Sequence, residues 1–341
     1  MDTPKQHIVV IGGGPAGIVA AAQLAKTHRV TLLEKNDKLC NNITNKFKLF
    51  PNFADADETA AELIATTKNE NITVNTSAEV TKINRADNKW EVTTDKDTIT
   101  ADAVVIATGY DIFDAHRKEE LGYGIYPGII TSLELEQMMK SGNVVTRFGD
   151  KPRRITFLQC VGSRDAKIGN HYCSKLCCVT AVKQAIELRK ISPETEVFLF
   201  YMDLRMWGQG FEELYRQSQE EHNVHFVRGR ISEAASTYDG RIQIKAEDTL
   251  IGQPLKMNTD FLVLMVGMEP SCGTKNLSQQ CNISGDYGFA ASKTPHLLDQ
   301  TTEQPGIFLA GSCKRPYTLS DTINDAYAAA AATERYLNEK A

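Results

Sequence analysis

The sequence predicts an α/β fold in which one nucleotide-type domain is inserted into another. A buried strand, a glycine turn, a helix and a second buried strand follow one another between residues 7 and 34. The same alternation of apolar strands and helices restarts near residue 150. Two further apolar runs that end in glycine, at 103–109 and 306–311, indicate that the chain returns to the first domain.

The length of 341 residues corresponds to about two domains at roughly 150 residues each. We expect residues 1–125 and 270–341 to form the first domain and residues 150–269 to form the inserted one. Residues 126–149 are then a connecting segment.

Composition and charge limit the classes of function. Hydrophobic residues make up 42% of the chain and charged residues 24%, as in ordinary globular proteins. The net charge of -5 argues against nucleic acid or an anionic membrane as partner. No apolar run approaches the roughly 18 residues of a membrane span, and the N-terminal apolar stretch lacks the basic flank of a signal peptide. We therefore expect a cytoplasmic protein that does not insert directly into a membrane.

The remaining elements are predicted from their apolar patterns. The first domain has strands at 7–12, 30–34 and 103–109, a helix at 15–26, and antiparallel strands within the alternating residues 72–101. The second domain has strands at 155–160, 197–202, 224–229 and 261–267 and helices at 173–190 and 210–221. A strand at 306–311 and an alanine-rich helix at 321–337 close the chain.

A glycine motif between the first strand and the first helix predicts a bound dinucleotide. Gly12, Gly14 and Gly17 have the spacing G-x-G-x-x-G. The first glycine permits the tight turn, the second lets a pyrophosphate approach the backbone, and the third lets the helix pack against the strand. Glu34 ends the second strand, where it can accept hydrogen bonds from ribose hydroxyls. The other candidate residues of this site are Pro15, Ala16 and Lys35.

The two later glycine runs favour FAD over NAD. AVVIATG (103–109) and GIFLAG (306–311) resemble the further signatures of the pyridine nucleotide–disulfide oxidoreductase superfamily, which are flavoproteins with two dinucleotide-binding domains. The resemblance implies that a helix capped near Ser320 and Asp321 directs its positive end at the flavin. The superfamily usually has Asp after the last glycine, where this chain has Ser312. The resemblance adds these candidate residues: Ala107, Thr108, Gly109, Gly311, Ser312, Thr318, Asp321 and Thr322.

Two features of that superfamily are missing from the sequence. A disulfide reductase carries C-x4-C shortly after the ribose-binding acid, whereas Cys40 has no such partner. We expect Cys40 to be either a small buried thiol or a single reactive one. The strand at 155–160 leads into VGSR and not into a pyrophosphate-binding glycine motif. A pyridine-nucleotide site in the second domain is therefore predicted to be lost or rebuilt.

Four cysteines stand where that motif would be. Cys160 lies at the predicted strand end, and Cys173, Cys177 and Cys178 are predicted to lie on the first turns of the next helix. Four thiolates at a helix N-terminus suit an anionic [4Fe–4S] cluster, because the same helix end stabilises a pyrophosphate. Zinc and free thiols remain alternatives. On a regular helix Cys178 points about 100° away from Cys177, so its inclusion requires a distorted helix start.

Longer segments resemble the A subunit of heterodisulfide reductases over nearly the whole chain. They include QCVGSRD (159–165), YCSKLCCVTAVKQAIELRK (172–190), FYMDLRMWGQGFEELYRQSQEE (200–221) and AGSCKRPYTLSDTINDAYAAAA (310–331). The resemblance implies FAD, a [4Fe–4S] cluster on the four cysteines, and an electron-transfer role beside partners that carry out disulfide chemistry. It identifies no catalytic residue and gives no role to the loop from Asp203 to Trp207.

The chain lacks the C-x2-C-x2-C runs of the methanogen form. It therefore most resembles the short A subunit of the heterodisulfide reductase-like complexes of sulfur oxidisers, which implies a homodimer, partner B and C subunits, and a soluble electron carrier. Quinone-interacting oxidoreductases and methanogen-type heterodisulfide reductases, which have related subunits, are alternatives. Further alternatives are a stand-alone NAD(P)H-dependent disulfide or sulfur reductase and a zinc-stiffened scaffold.

Overall fold

The computed structural model of the protein describes residues 5–340 and has a mixed α/β fold. Its strands, numbered in chain order, are β1 (His7–Ile11), β2 (Arg29–Leu33), β3 (Lys48–Leu49), β4 (Ala54–Asp55), β5 (Ile72–Asn75), β6 (Val80–Ala86), β7 (Lys89–Thr94), β8 (Thr98–Ala101), β9 (Ala103–Ile106), β10 (Tyr110–Ile112), β11 (Ile129–Thr131), β12 (Arg154–Val161), β13 (Glu196–Tyr201), β14 (His225–Arg228), β15 (Ile231–Ser236), β16 (Ile242–Asp248), β17 (Gln253–Thr259), β18 (Phe261–Val266), β19 (Met268–Pro270) and β20 (Ile307–Leu309).

The α-helices are α1 (Pro15–Leu24), α2 (Asn41–Thr44), α3 (Ala56–Ala65), α4 (Ser132–Lys140), α5 (Cys177–Ile191), α6 (Phe211–Glu220), α7 (Cys272–Gln280) and α8 (Leu319–Lys340). Short 3-10 helices lie at Ala115–Arg117, Glu119–Leu121, Asp286–Gly288 and Gly311–Cys313. In the part of the chain that the structure describes, no helix combines the length and the apolarity needed to cross a membrane.

The described residues divide into two compact units. The first unit holds the described parts of Met1–Thr44 and Glu269–Ala341 together with Asp57–Asp111. The second unit holds Asn45–Ala56 and Ile112–Met268. The sequence predicted a first domain reaching residue 125 and a connecting segment at 126–149, so the second unit begins earlier than expected.

A five-stranded parallel sheet forms the centre of the first unit, in the order β20-β9-β1-β2-β5. The continuous apolar run predicted for the central strand is buried along Ile8, Val9 and Val10. Parallel strands end at the same edge of a sheet, so the glycine runs that follow β1, β9 and β20 meet at one edge. This is the edge at which ligands bind in open α/β sheets.

One predicted set of antiparallel strands is only partly antiparallel. β6, β7 and β8 form the expected antiparallel sheet, but β5 pairs in parallel with β2, with Val30 opposite Ile72. β5 is the last strand of its sheet, and its residues 73–75 are exposed. The mixed polarity of this stretch therefore reflects an edge strand and not a sheet with one solvated face.

The second unit is built on its own parallel sheet, in the order β11-β18-β12-β13-β14, with β15, β16 and β17 as a separate antiparallel sheet. The first of these strands comes from the predicted connecting segment, since Ile130 pairs with Val263. Thr131 then caps α4 in a capping box with Glu134. A strand and a helix of residues 126–149 are thus integral to the second unit.

The short segment Asn45–Ala56 also belongs to the second unit. The Phe47 amide donates to the carboxylate of Glu136 at 2.8 Å, and the ammonium of Lys183 donates to the carbonyl of Lys48 at 2.9 Å. Three aromatic side chains of the segment pack against the buried core of this unit: Phe47, Phe50 and Phe53.

Candidate functional site

The turn between β1 and α1 requires glycine at two of the predicted positions. Gly12 has a φ of +112°, and a Cβ there would lie 2.4 Å from the carbonyl oxygen of Ala107. A Cβ on Gly17 would lie 1.8 Å from the carbonyl oxygen of Gly12. These two glycines therefore serve the close approach of β1, α1 and the turn after β9.

Gly14 is different, because a Cβ built there meets no atom within 4 Å. This residue is the N-cap of α1, no side chain caps the helix, and Pro15 occupies the first turn. The helix end thus combines open space with uncapped backbone amides and the positive end of the dipole. These residues fit the pyrophosphate of a dinucleotide.

The Glu34 carboxylate is buried and fixed beside this turn. It accepts the Gly13 amide at 2.6 Å with one oxygen, and the backbone and side-chain nitrogens of Asn36 at 2.8 and 2.6 Å with the other. A carboxylate has about four acceptor positions, so one is left for a ribose hydroxyl. Sequence reasoning missed Gly13 and Asn36, while Lys35 is exposed beside them.

The predicted turn after β9 is fixed from α7. The Ser271 hydroxyl donates to the Thr108 carbonyl at 2.9 Å, and the Thr274 hydroxyl donates to the Gly109 carbonyl at 3.0 Å. The side-chain oxygens of Thr108 and Thr274 lie 2.7 Å apart. The first turn of α7 therefore sets the course of the ATG signature, a role that the sequence did not indicate.

The signature that ends at Gly311 packs against Ala16 of α1, which belongs to the first glycine motif. A Cβ on Gly311 would lie 2.6 Å from the Cβ of Ala16 and 3.2 Å from Cγ2 of Thr322. The Gly311 amide donates to the carboxylate of Asp325 at 2.6 Å. Ser312 is buried next to it. The residue after Gly311, where the superfamily usually has Asp, is thus Ser312 and supplies no carboxylate. The Asp325 carboxylate of α8 binds the Gly311 amide instead.

The start of α8 corrects the predicted caps. The helix begins at Leu319, and the hydroxyl of Thr318 accepts the Asp321 amide at 3.0 Å. The Asp321 carboxylate accepts the Thr318 amide in return at 3.1 Å. Thr318 is therefore the cap, and Ser320 lies inside the first turn. A threonine followed three residues later by an acid was the available signal.

Cys40 is a buried thiol, 1% exposed, at a left-handed φ of 60°. Its amide donates to the Gly13 carbonyl at 2.9 Å. Burial, with a contribution from the charge of Glu34, raises the pKa of Cys40 to about 12. Since the thiolate is the nucleophile, the structure favours the buried structural thiol over the reactive one.

In the second unit, β12 and the loop after it have an unusual backbone. The pairing of β12 with β18 shifts between Leu158 and Val161. Within and after this irregularity Cys160, Gly162 and Arg164 have φ values of 61°, 74° and 52°. Left-handed residues other than glycine are strained, and such strain concentrates at functional sites.

The helix that follows begins later than the sequence predicted. α5 starts at Cys177, so Cys173 lies in the loop before it and not on its first turn. The amide of Lys175, which has a φ of 64°, donates to the sulfur of Cys173 at 3.3 Å. Because Cys173 is not on the helix, the predicted i, i+4 pairing of Cys173 with Cys177 on one helix face is wrong.

The four cysteines form one electrostatic group. Burial raises the pKa of Cys160 to about 11, and the charges of Cys178 and Cys173 add to the effect. Burial also raises the pKa of Cys177, which is influenced by the other three, and that of Cys178. Metal binding would have to deprotonate these thiols.

The surroundings of these cysteines fit an anionic group. No side chain caps the N-terminus of α5 at Leu176, so its amides and dipole are available. Three polar side chains around Cys160 have buried atoms that lack any hydrogen-bond partner within residues 5–340: Gln159, Ser163 and Arg164. In the same residues, no group of three or more His, Cys, Asp or Glu is already arranged as a set of metal ligands.

The loop from Asp203 to Trp207 lies against this cysteine segment. The Asp203 carboxylate accepts from Arg164 at 2.6 Å, and the Cys178 sulfur lies 3.9 Å from the Asp203 carbonyl. The ammonium of Lys175 lies 4.2 Å from the ring centroid of Trp207. The loop, for which the sequence indicated no role, is therefore one wall of the cysteine site.

Known proteins resemble this chain over about two thirds of its length. The sequence profile of the pyridine nucleotide-disulphide oxidoreductase family matches residues 6–137. The chain is 40% identical over 240 residues, 68% of its length, to the A subunit of the H(2):CoB-CoM heterodisulfide,ferredoxin reductase of Methanothermobacter thermautotrophicus. It is 40% identical over 239 residues, 67% of its length, to the iron-sulfur A subunit of the CoB--CoM heterodisulfide reductase of Methanocaldococcus jannaschii. The chain belongs to the family of heterodisulfide reductase A subunits. It matches 36% of the length of each of these two relatives.

The fold itself is shared with solved thioredoxin reductases. Thioredoxin reductase of Lactococcus lactis superposes with a TM-score of 0.70 at 18% identity, covering 98% of this chain and 100% of that one. The prediction of a Rossmann-type flavoprotein fold is confirmed, as is the family of heterodisulfide reductase A subunits. The matching family profile and both relatives are named as oxidoreductases or reductases, the class that the sequence predicts for this chain. The family profile also supports FAD as the dinucleotide.

Proposed function

We propose that the protein is the FAD- and [4Fe–4S]-containing electron-transfer subunit of a heterodisulfide reductase-like complex in cytoplasmic sulfur oxidation. In this proposal it is a homodimer, works with the iron–sulfur B and C subunits, and passes electrons to or from a soluble carrier. FAD would be held by Gly12, Gly14, Gly17 and Glu34 with the two later signatures. The cluster would be held by Cys160, Cys173, Cys177 and Cys178.

One observation carries the proposal. The first unit keeps an open glycine cradle at Gly14, whereas the equivalent strand-to-helix connection of the second unit contains Cys160, Cys173, Cys177 and Cys178. Flavin exchanges one or two electrons and an iron–sulfur cluster passes one, so the pair converts a two-electron reaction into one-electron steps. The residues of this chain would bind the two groups and shield them.

The buried state of Cys40 supports a relay over a self-contained reductase. Its pKa of about 12 leaves it protonated at neutral pH, so it is not suited to attack a disulfide. In the proposed complex, bond breaking at sulfur takes place in the partner subunits.

The first experiment is cofactor analysis of protein purified without oxygen. FAD equimolar with the chain, about four iron and four sulfide, and an EPR signal on reduction are expected. Protein with FAD but without iron and sulfide would refute the cluster. The second experiment compares sulfur-substrate turnover by the isolated protein and by the protein reconstituted with its B and C subunits. Equal turnover in both would refute the relay role.

The thioredoxin reductase-like fold favours one competing function, a stand-alone NAD(P)H-dependent disulfide or sulfur reductase. Rapid bleaching of the flavin by NADH, with disulfide turnover by the isolated protein, would support this alternative. The relay predicts slow bleaching and no such turnover.

A further inference from the structure

Arg164 connects the cysteines to the Asp203 loop. Nη2 of its guanidinium donates to Oδ2 of Asp203 at 2.6 Å. The Arg164 side chain is only 20% exposed. Its backbone lies in the left-handed region. Arg164 follows Cys160 by four residues, and its positive charge partly offsets the rise that burial causes in the pKa of the Cys160 thiol.

One nitrogen of the Arg164 guanidinium makes no hydrogen bond within the described residues. Nη1 of Arg164 is buried and has no hydrogen-bond partner in residues 5–340. A buried donor without an acceptor costs about 1–3 kcal/mol, and more for a charged group. An arginine that served only to bind Asp203 would not require this cost. The unsatisfied donor, the neighbouring Cys160 and the uncapped start of α5 indicate an anionic acceptor at this position.

Asp203 fixes the direction of that donor. Its other carboxylate oxygen lies 3.9 Å from Arg228, and its carbonyl oxygen lies 3.9 Å from the sulfur of Cys178. The loop thus holds the guanidinium through the nitrogen that is not free. Replacing Asp203 with Asn would remove the negative charge beside Arg164 but keep a side-chain oxygen that can accept from Nη2.

We infer that Arg164 is a positioning residue that donates a hydrogen bond and a positive charge to the cysteine-bound cluster, with Asp203 setting its orientation. The inference rests on the proposed function, because it requires a cluster on the four cysteines. Hydrogen bonds to the sulfurs and nearby charge set the reduction potential of such a cluster. Adding an electron to an already anionic group is easier beside a cation, so Arg164 raises the potential and Asp203 partly offsets it.

The test is an EPR-monitored redox titration of the full-length protein. We expect Arg164→Gln to shift the cluster midpoint to lower potential and Asp203→Asn to shift it to higher potential. Arg164→Lys keeps the charge but loses the planar fork, so an intermediate shift is expected. The matched control is Arg241→Gln, which removes an arginine paired with Asp239 at the surface of the same unit and should leave the midpoint unchanged.

The outcomes separate this inference from the proposed function. Wild-type protein without iron and sulfide contradicts the cluster itself. The role of Arg164 would be overturned by a different result. In that result wild-type protein contains a full cluster, and the Arg164→Gln and Asp203→Asn variants have the same midpoint potential as wild type. If Arg164→Gln does not retain iron, the midpoint potentials of Arg164→Lys and Asp203→Asn are compared with wild type instead. Unchanged midpoints in both variants overturn the inference.

Discussion

The carboxylate of Asp325 accepts the amide hydrogen of Gly311 at 2.6 Å across 14 residues of sequence. The other oxygen of Asp325 accepts from the buried ammonium of Lys314 at 2.7 Å and from the Gln300 amide at 2.9 Å. One acid of α8 thus joins the last glycine signature to a buried cation. This arrangement makes the signature sensitive to a residue that lies outside it.

Asp325→Asn should leave Lys314 as a buried charge without a counterion. Removing one member of such a pair typically costs about 3–5 kcal/mol. We expect a loss of unfolding free energy of this size in urea denaturation, with weaker retention of FAD. The double variant Lys314→Met/Asp325→Asn should recover most of the stability. A double variant no more stable than the single one would contradict the explanation.

The two kinds of glycine in the first motif predict opposite phenotypes. Gly14→Val should fold normally, because its Cβ meets nothing within 4 Å, but it should lose FAD because the side chain fills the space for the pyrophosphate. Gly17→Ala should destabilise the protein with or without FAD, since its Cβ would lie 1.8 Å from the Gly12 carbonyl oxygen. Circular dichroism and the FAD content of purified protein distinguish the two. Equimolar FAD in Gly14→Val would refute this assignment.

Cys173→Ser should lose iron and sulfide and retain FAD, because Cys173 lies in the second unit and the glycine cradle lies in the first. Cys272→Ser removes an exposed cysteine of the first unit and is the control. Both variants are measured by iron, sulfide and flavin content after anaerobic purification. A full complement of iron in Cys173→Ser would show that Cys173 is not a ligand.

Cys40 should resist alkylation in the folded protein. Its pKa of about 12 and its 1% exposure keep both the thiolate fraction and the access small at pH 8. Iodoacetamide followed by peptide mass spectrometry should therefore label the exposed Cys272 and leave Cys40 unmodified until the protein is unfolded. Labelling of both at equal rates in native protein would mean that the site around Cys40 opens.

Glu187 should make the protein less stable as pH rises towards neutrality. Burial is the main reason that the pKa of Glu187 is raised to about 7. The negative charge of Glu136 also raises this pKa, whereas the ammonium of Lys183, at 3.0 Å, lowers it. The folded state then holds a proton that the unfolded state releases near pH 4.5, so unfolding free energy falls between these pH values, by at most about 3 kcal/mol. Urea denaturation from pH 5 to 7.5 should show this slope in wild type and in the exposed control Glu194→Gln. Glu187→Gln should flatten it, and an unchanged slope would contradict the assignment.

The sequence was most informative where one local rule decides the structure. The glycine spacing, the apolar strand before it and the acid after the second strand predicted the turn at Gly12, and the positive φ there explains why. The start of α5 was not predictable by periodicity, because Cys173 has helical spacing from Cys177 but lies in the preceding loop. Arg164, Asp203 and Asp325 act through contacts between distant segments, which no pattern of neighbouring residues records.

The segment Asn45–Ala56 has a consequence for dissecting the protein. Its residues are encoded between two parts of the first unit but are packed in the second, so a fragment cut at Ile112 and Met268 lacks them. In such a fragment Glu136 and Lys183 would lose their hydrogen bonds to the backbone of Phe47 and Lys48. The apolar surface that the aromatic side chains of the segment cover would be exposed to solvent. A soluble cysteine-bearing fragment therefore requires a circularly permuted or peptide-complemented gene design, in which these twelve residues are supplied again.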